Sequence, residues 1–340
     1  MSKKTKIWLI IAASLIVLGA ILFTLAMTAY KWDFYKLETK KYVTNEYTVN
    51  EQFNKISAAL NTADITFAPS DDSITKVVCY ETEGEFHSVS VENGTLNISV
   101  LHSNKLMNHI GINFNSPKIT VYIPSGMYSS LNIKSDTGDA EIPSSFTFEN
   151  IDILTDTGDV TLGATCHSNA EIKTDTGDVA VNGIDVGVLK LTSTTGDMRI
   201  CEVVCHDDLE IKTETGRAHL SDVSCDNFIS SGDTGDLIIY RSIATGKFSI
   251  KRDTGDVEFN QCNANEILVQ TDTGDVEFDR CDANKIFVRT DTGDVSGSLL
   301  SDKVFTVESN TGDIEVPKSA IGGTCEIITD TGDIEIEIAN

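Results

Sequence analysis

A Thr-Gly dipeptide recurs eleven times, with Gly at 138, 158, 177, 196, 216, 235, 255, 274, 293, 312 and 332, so every interval is 19 or 20 residues. Eight copies read Asp-Thr-Gly-Asp in full. The others are Thr194-Thr195-Gly196-Asp197, Glu214-Thr215-Gly216-Arg217 and Asn310-Thr311-Gly312-Asp313. Apolar residues sit seven and five positions before the Gly (Leu189/Leu191, Ile267/Val269) and return two and four positions after it (Val179/Val181, Val257/Phe259), with Ser230 and Gly297 as exceptions. Period-two alternation with Val, Ile and Phe predicts half-buried strands, so each unit is strand, tight turn, strand. One such unit cannot bury its apolar face alone, whereas stacked identical units can. Strands stack at ~4.8 Å, which makes eleven coils a rod on the order of 50 Å long. A β-propeller fits less well, because a blade needs about 40 residues and nothing alternates with a two-unit period. The sequence therefore predicts an all-β chain: a β-solenoid (β-helix) of about eleven 19–20-residue coils over residues 131–340.

The chain has 340 residues, 40% of them hydrophobic, and a formal net charge of −26. It can fill a large core, so disorder is excluded. It lacks the clustered Lys and Arg that nucleic-acid binding requires. The charge is segregated. Residues 1–41 carry seven Lys against Asp33 and Glu38, while the remainder carries 19 basic and 50 acidic residues. The acidic part should be soluble and attract cations or basic surfaces.

Ile7 to Tyr30 contains no charge. As a helix it would reach ~36 Å, enough for a ~30 Å hydrocarbon core. Trp8 at one end, with Tyr30 and Trp32 at the other, are placed like interfacial anchors. A cleaved signal peptide is the rival reading, but its apolar region is usually ~7–15 residues, and Ala26-Met27-Thr28 is the best cleavage site on offer. The expected organisation is a cytoplasmic tail (1–6), a transmembrane anchor (7–30), a juxtamembrane linker (31–44), degenerate β-coils forming an amino-terminal cap (45–130) and the regular solenoid (131–340). Lysines flank both ends of the apolar segment. The acidic bulk resembles an exported domain, which puts it outside the cell membrane as a single-pass protein.

Within 45–130, Ile56 to Phe67 reads as a coil with Ala63 in the Gly place, 75 residues or close to four periods before Gly138. Residues 102–116, with Met107, His109 and Asn115, break the pattern and predict a protruding loop. At the far end, Ile334–Ile338 alternates with Glu335 and Glu337, and charges there suit an open sheet edge.

Asp-Thr-Gly invites comparison with aspartic proteases, but those need a unique dyad sharing one proton, and eight evenly spaced copies do not make one. Turn chemistry accounts for much of the motif: Gly for positive φ, Asp for capping N–H groups, and Thr for a hydroxyl ladder between coils. It leaves acid in both flanking files unexplained. Carboxylates ~5 Å apart repel by roughly 1 kcal/mol per pair in water, and divalent cations would cancel this. Weak Ca²⁺ or Mg²⁺ binding is therefore a second reading, placed on Asp253, Asp256, Asp272, Asp275, Asp291 and Asp294, where three consecutive coils keep both acids. No other cofactor is expected. The repeat fails locally at Arg217; with Arg199, His219 and Arg241 it forms a basic spot, read either as charge relief or as a recognition site.

Eight Cys in an exported chain raise the question of disulfides. Cys262 and Cys281, and likewise Cys205 and Cys225, fall in consecutive coils at the same register, within disulfide reach. Apolar residues fill the file of Cys262 and Cys281, seven residues after Gly, in other coils (Val203, Val223, Leu300), which favours stacked free thiols. Cys201, Cys205, His206 and Cys225 have zinc-like spacing, but alternating strands point them apart.

The repeated Thr-Asp-Thr-Gly-Asp-Val units behind one amino-terminal membrane segment resemble a bacterial domain-of-unknown-function family of putative adhesins. So does the leader Phe53-x-x-Ile56 with Ile119-Thr120-Val121-Tyr122-Ile123-Pro124. The resemblance covers about residues 45–340. It implies a β-helical fold, a cell-envelope location and association with envelope-stress or antibiotic-response systems, and it supplies no catalytic residues. The expected function is a non-catalytic, membrane-anchored adhesin or envelope binding module whose partner is an envelope component or envelope protein. The alternative is a carbohydrate-active enzyme, a polysaccharide lyase or hydrolase, on the same scaffold.

Overall fold

The computed structural model describes residues 2–33, 41–82, 85–102 and 115–339. The loop expected at 102–116 falls almost wholly on 103–114, outside the described residues. Each regular coil is laid down in the same way. A long strand ends on the Asp-Thr dipeptide, as in Thr165–Thr176, and the Gly turns the corner. A short strand follows, as in Val179–Asn182, and a second corner leads to the next long strand. Long strands pair in parallel with long, and short with short. The register shift near the start of the long strand, as between Cys166 and Asn169, bends it.

Because every coil has the same period, like residues stack. Leu189, Leu209, Phe228, Phe248, Ile267 and Ile286 are successive partners and all buried. Inward aromatics meet along the axis, Phe248 with Phe259 at 5.7 Å and Phe259 with Phe278 at 5.2 Å between ring centroids. The apolar file seven residues after Gly closes on Leu299, not Leu300, because the short strand slips by one residue at Gly297 against Phe278–Cys281. All eight cysteines are free thiols. Seven are buried, and burial pushes Cys225 and Cys325 up to about 12, which keeps them protonated and inert.

The corner glycines stack on one another. Gly274 has φ +151°, and a Cβ added there would lie 2.7 Å from the carbonyl carbon of Gly255 and closer still to its oxygen. Only Gly permits both the dihedral and the approach. The second corner has a different solution. Six residues after Gly177, Gly196, Gly216, Gly235, Gly255 and Gly274 stand Gly183, Glu202, Asp222, Arg241, Gln261 and Arg280, with φ between 46° and 66°. Five of these carry side chains in the left-handed region, which ordinary residues avoid.

Both ends depart from sequential stacking. Ala63 is not four coils from Gly138 but its immediate neighbour: Lys55–Leu60 pairs with Met127–Thr137, and Asp64–Pro69 with Ala140–Ile142. The intervening chain passes outside this coil. Thr95–His102 and Lys118–Ile123 stack beyond it in parallel. Antiparallel strands then close the end: Glu85–Glu92 on the first, and Thr75–Thr82 followed by Tyr42–Val49 on the second. Antiparallel closure explains why the nineteen-residue pattern is missing here.

At the other end the last coil is inserted beneath the one that precedes it. Gly323–Thr331 lies between Val276–Thr292 and Lys303–Thr311, and Ile334–Ile338 lies between Val295–Leu299 and Ile314–Glu315. Ile334–Ile338 is thus an interior rung, contrary to the expectation that Glu335 and Glu337 guard the edge. The outermost coil is 303–315, whose short strand has two residues and stops ahead of Pro317. Proline offers no N–H to a ladder and suits the end of a stack. Buried Lys303 anchors this coil by donating to Asp282 Oδ1 at 2.6 Å. Burial alone would raise the Asp282 carboxyl, but bonds from Lys303 and Ser301 with the Lys303 charge bring it below its ordinary value.

Ahead of the solenoid, Lys3–Ala29 forms one apolar helix. Ser2 caps it, its hydroxyl accepting from the Thr5 amide at 3.2 Å. Its Ile, Leu and Val side chains are exposed from Ile7 to Leu25, and it is long and apolar enough to cross a membrane.

Candidate functional site

The Gly corners build a ridge along the rod, and the Asp that follows each Gly makes a ladder on it. Asp275 N–H donates to Asp256 Oδ1 at 2.9 Å, and Asp294 N–H to Asp275 Oδ1 at 2.8 Å. The same bond runs from Asp139 through Asp159, Asp178 and Asp197. At the inserted coil the ladder follows space rather than sequence, Asp333 donating to Asp294 and Asp313 to Asp333. Each carboxylate therefore holds the next coil's amide, which explains the acid after Gly. Among the described residues no hydroxyl ladder joins the Thr residues that precede Gly. Arg217 takes one bond, its amide donating to Asp197 Oδ1 at 2.9 Å, but cannot pass it on.

Asp253, Asp256, Asp272, Asp275, Asp291 and Asp294 are all exposed on this ridge. Asp256, Asp275 and Asp294 each commit one oxygen to an amide, and Arg289 lies 3.9 Å from Asp291. These carboxylates do not converge in threes within 4.8 Å.

Beside the ridge, the short strands present one flat outer file. In spatial order it reads Arg199, His219, Ile238, Glu258, Glu277, Ser296, Glu335, Glu315. Charge thus changes sign along the rod. Arg199 and His219 are direct neighbours, and Arg217 stands on the adjoining ridge. Arg241 is set apart at the second corner, where Nε and Nη2 hold Asp222 at 2.8 and 2.6 Å and the guanidinium lies 4.4 Å from the Tyr240 ring centre. Toward the carboxy-terminal end the file is acidic. Partial burial and the neighbouring Glu277, Asp236 and Asp256 hold the Glu258 carboxyl above its usual range. Ser296, Gly297 and Ser298 are small residues and leave a groove of about 340 Å³ walled by Glu277, Asp279, Glu335 and Glu337.

Two buried polar features escaped the sequence reading. Arg252 is 1% exposed and replaces the Thr or Ser that other coils place inside the corner. Its guanidinium fills the space left by Gly232 and donates to Thr213 Oγ1 at 3.2 Å and Ser230 Oγ at 3.0 Å, with Nε unpaired. Burial lowers its pKa, opposed by the Asp236 charge. The second feature lies in the amino-terminal cap. Cys79 and Glu81 alternate inward on Thr75–Thr82, and His87 faces them from Glu85–Glu92; all three are buried. Glu81 Oε2 accepts from the His87 amide at 2.8 Å and lies 2.7 Å from His87 Nδ1, and Glu81 Oε1 accepts from Asn45 Nδ2 at 2.6 Å. Lone residues outside the repeat carry no periodic signal, so nothing in the sequence joins these three.

The family model described as Toastrack DUF4097 matches residues 53–222 and 206–340. The chain belongs to this family. Among solved structures, a putative adhesin from Bacteroides fragilis is 18% identical, covering 88% of this chain and 98% of its own, with a TM-score of 0.31. A putative adhesin from Parabacteroides distasonis is 13% identical over 88% and 98%, with a TM-score of 0.37. A putative lipid binding protein from Parabacteroides distasonis is 12% identical over the same shares, with a TM-score of 0.33. No curated protein matches the chain.

Proposed function

We propose that this Toastrack chain is a single-pass, membrane-anchored extracytoplasmic module that binds without catalysis, and that its acidic lateral face docks a cationic component of the cell envelope or a basic surface of an envelope protein. The observation that carries the reading is the file of Glu258, Glu277, Glu335 and Glu315, interrupted once by Ser296, lying in register beside the exposed Asp ladder. Same-sign charge on a rigid face steers oppositely charged partners. The exposed apolar helix supports anchoring. A tether that holds such a face near the envelope suits a part in the envelope-stress response. Weak Ca²⁺ or Mg²⁺ binding along Asp253 to Asp294 belongs to the same reading, since each ladder carboxylate keeps an oxygen for an ion. Cosedimentation of the full chain with isolated envelope material tests it. Binding should fall steeply with added salt and weaken in Glu258→Gln/Glu277→Gln/Glu335→Gln. Salt-independent binding, or release of new reducing ends, would overturn it, the latter in favour of a carbohydrate-active enzyme.

A further inference from the structure

The cap holds a set of groups that turn chemistry and acidic docking leave unused. A Cys79 sulfur, a Glu81 oxygen and a His87 ring nitrogen lie within 4.8 Å of one another, and among the described residues no other His, Cys, Asp and Glu side chains converge in this way. Their burial is nearly complete, with Cys79 and Glu81 at 0% and His87 at 2% exposure. An independent feature is His87 Nε2, which is buried with no hydrogen-bond partner. His87 Nδ1 faces the Glu81 carboxylate at 2.7 Å, so both nitrogens of the ring lie inside the cluster's walls and one of them has no protein partner to give up.

From this geometry we infer a buried Zn²⁺ site in the cap, ligated by the Cys79 thiolate, a His87 ring nitrogen and the Glu81 carboxylate. Thiolate with imidazole is a donor set that selects zinc over the hard cations that oxygen ligands favour. The carboxylate comes already oriented: Asn45 Nδ2 and the His87 amide hold it from outside, as outer-shell groups hold metal ligands elsewhere. Tyr47 Oη donates to the His87 carbonyl oxygen at 2.9 Å and steadies that strand. Binding forms the zinc–sulfur bond as the Cys79 thiol proton leaves for solvent. Since the ligands are sealed inside, the ion enters while the cap folds, and it ties Thr75–Thr82 to Glu85–Glu92 across the solenoid's end.

The test uses the full-length chain purified from cells grown with added zinc. Elemental analysis should find one zinc per chain, and the zinc absorption edge should fit one sulfur at about 2.3 Å with nitrogen and oxygen neighbours. Cys79→Ala and His87→Gln, checked for native circular dichroism, should each weaken zinc retention by more than the roughly 10–100-fold that loss of an outer-shell group costs. Absence of zinc from the wild type would overturn the site, as would unchanged zinc content in a folded Cys79→Ala chain. If neither variant folds, the wild-type edge still decides, because a shell of two sulfurs would assign the metal to a cysteine pair such as Cys262 and Cys281.

Discussion

Gly274→Ala is the sharpest probe of the stacked corner. The new methyl would sit 2.7 Å from the Gly255 carbonyl carbon, where ordinary contact begins at 3.4 Å, and the backbone holds φ +151°. Holding a non-Gly residue in that region costs about 1–3 kcal/mol, and overpacking a rigid neighbour about 1–3 more. The sum is roughly 2–6 kcal/mol, spent locally because each coil contacts only its neighbours. Two comparisons separate the causes. Gly183→Ala, with φ +66° and nothing within 4 Å of the added Cβ, should cost only about 1–2 kcal/mol. Asp275→Asn weakens one rung of the ladder and should cost about 0.5–1.5 kcal/mol. Native-state hydrogen exchange reads the effect coil by coil: amides around Gly274 in Gly274→Ala should exchange at least about thirtyfold faster than in wild type. Exchange within threefold of wild type would refute the claim that close stacking, rather than turn preference, fixes Gly at this corner.

The second corner predicts gains: Gln261→Gly and Glu202→Gly should each stabilise the chain by about 1 kcal/mol in urea titration, whereas Gln261→Val should destabilise it. Arg252 and Gly232 should be strongly coupled. Gly232→Ser alone places its Cβ 2.9 Å from Arg252 Cζ, Arg252→Thr alone leaves a cavity, and the double variant restores the hydroxyl file; a double-mutant cycle should return at least about 1 kcal/mol of favourable coupling. The Glu258 carboxyl, raised by burial and then by Glu277, Asp236 and Asp256, binds a proton more tightly folded than unfolded. Its stabilising contribution is complete below the unfolded value near 4.5 and lost as pH rises through the folded one, so Glu258→Gln should raise the Tm at pH 7 and leave it unchanged well below pH 4.5.

The regular coils were legible because their signal repeats. Alternation around Gly places Leu189, Ile267 and Val276 in the core, and the interval of 19 or 20 residues places each above its counterpart. The Asp files were visible as acid at fixed positions, but not what they bond. A carboxylate accepting the amide of another coil is a contact between residues 19 or 20 apart, and it emerges only once the coils are in register. The ends were misread for a related reason. Seventy-five residues between Ala63 and Gly138 fit four periods arithmetically, yet spacing along the chain fixes spacing in the stack only while coils follow in order. The left-handed corner was hidden because Glu202, Gln261 and Arg280 are residues that this backbone does not normally select.

The order of the last three coils can be read directly by cysteine pairs. Thr292, Thr331 and Thr311 stand in one file, Thr331 in the middle. Adjacent strands lie ~4.8 Å apart, within the Cα separation a disulfide accepts, and alternate ones ~9.6 Å, beyond it. Under mild oxidation of the folded chain, Thr292→Cys/Thr331→Cys and Thr331→Cys/Thr311→Cys should cross-link, as peptide mapping would show, and Thr292→Cys/Thr311→Cys should not. A bond between positions 292 and 311 with none between 292 and 331 would mean coils stacked simply in chain order, and would contradict the inserted final coil.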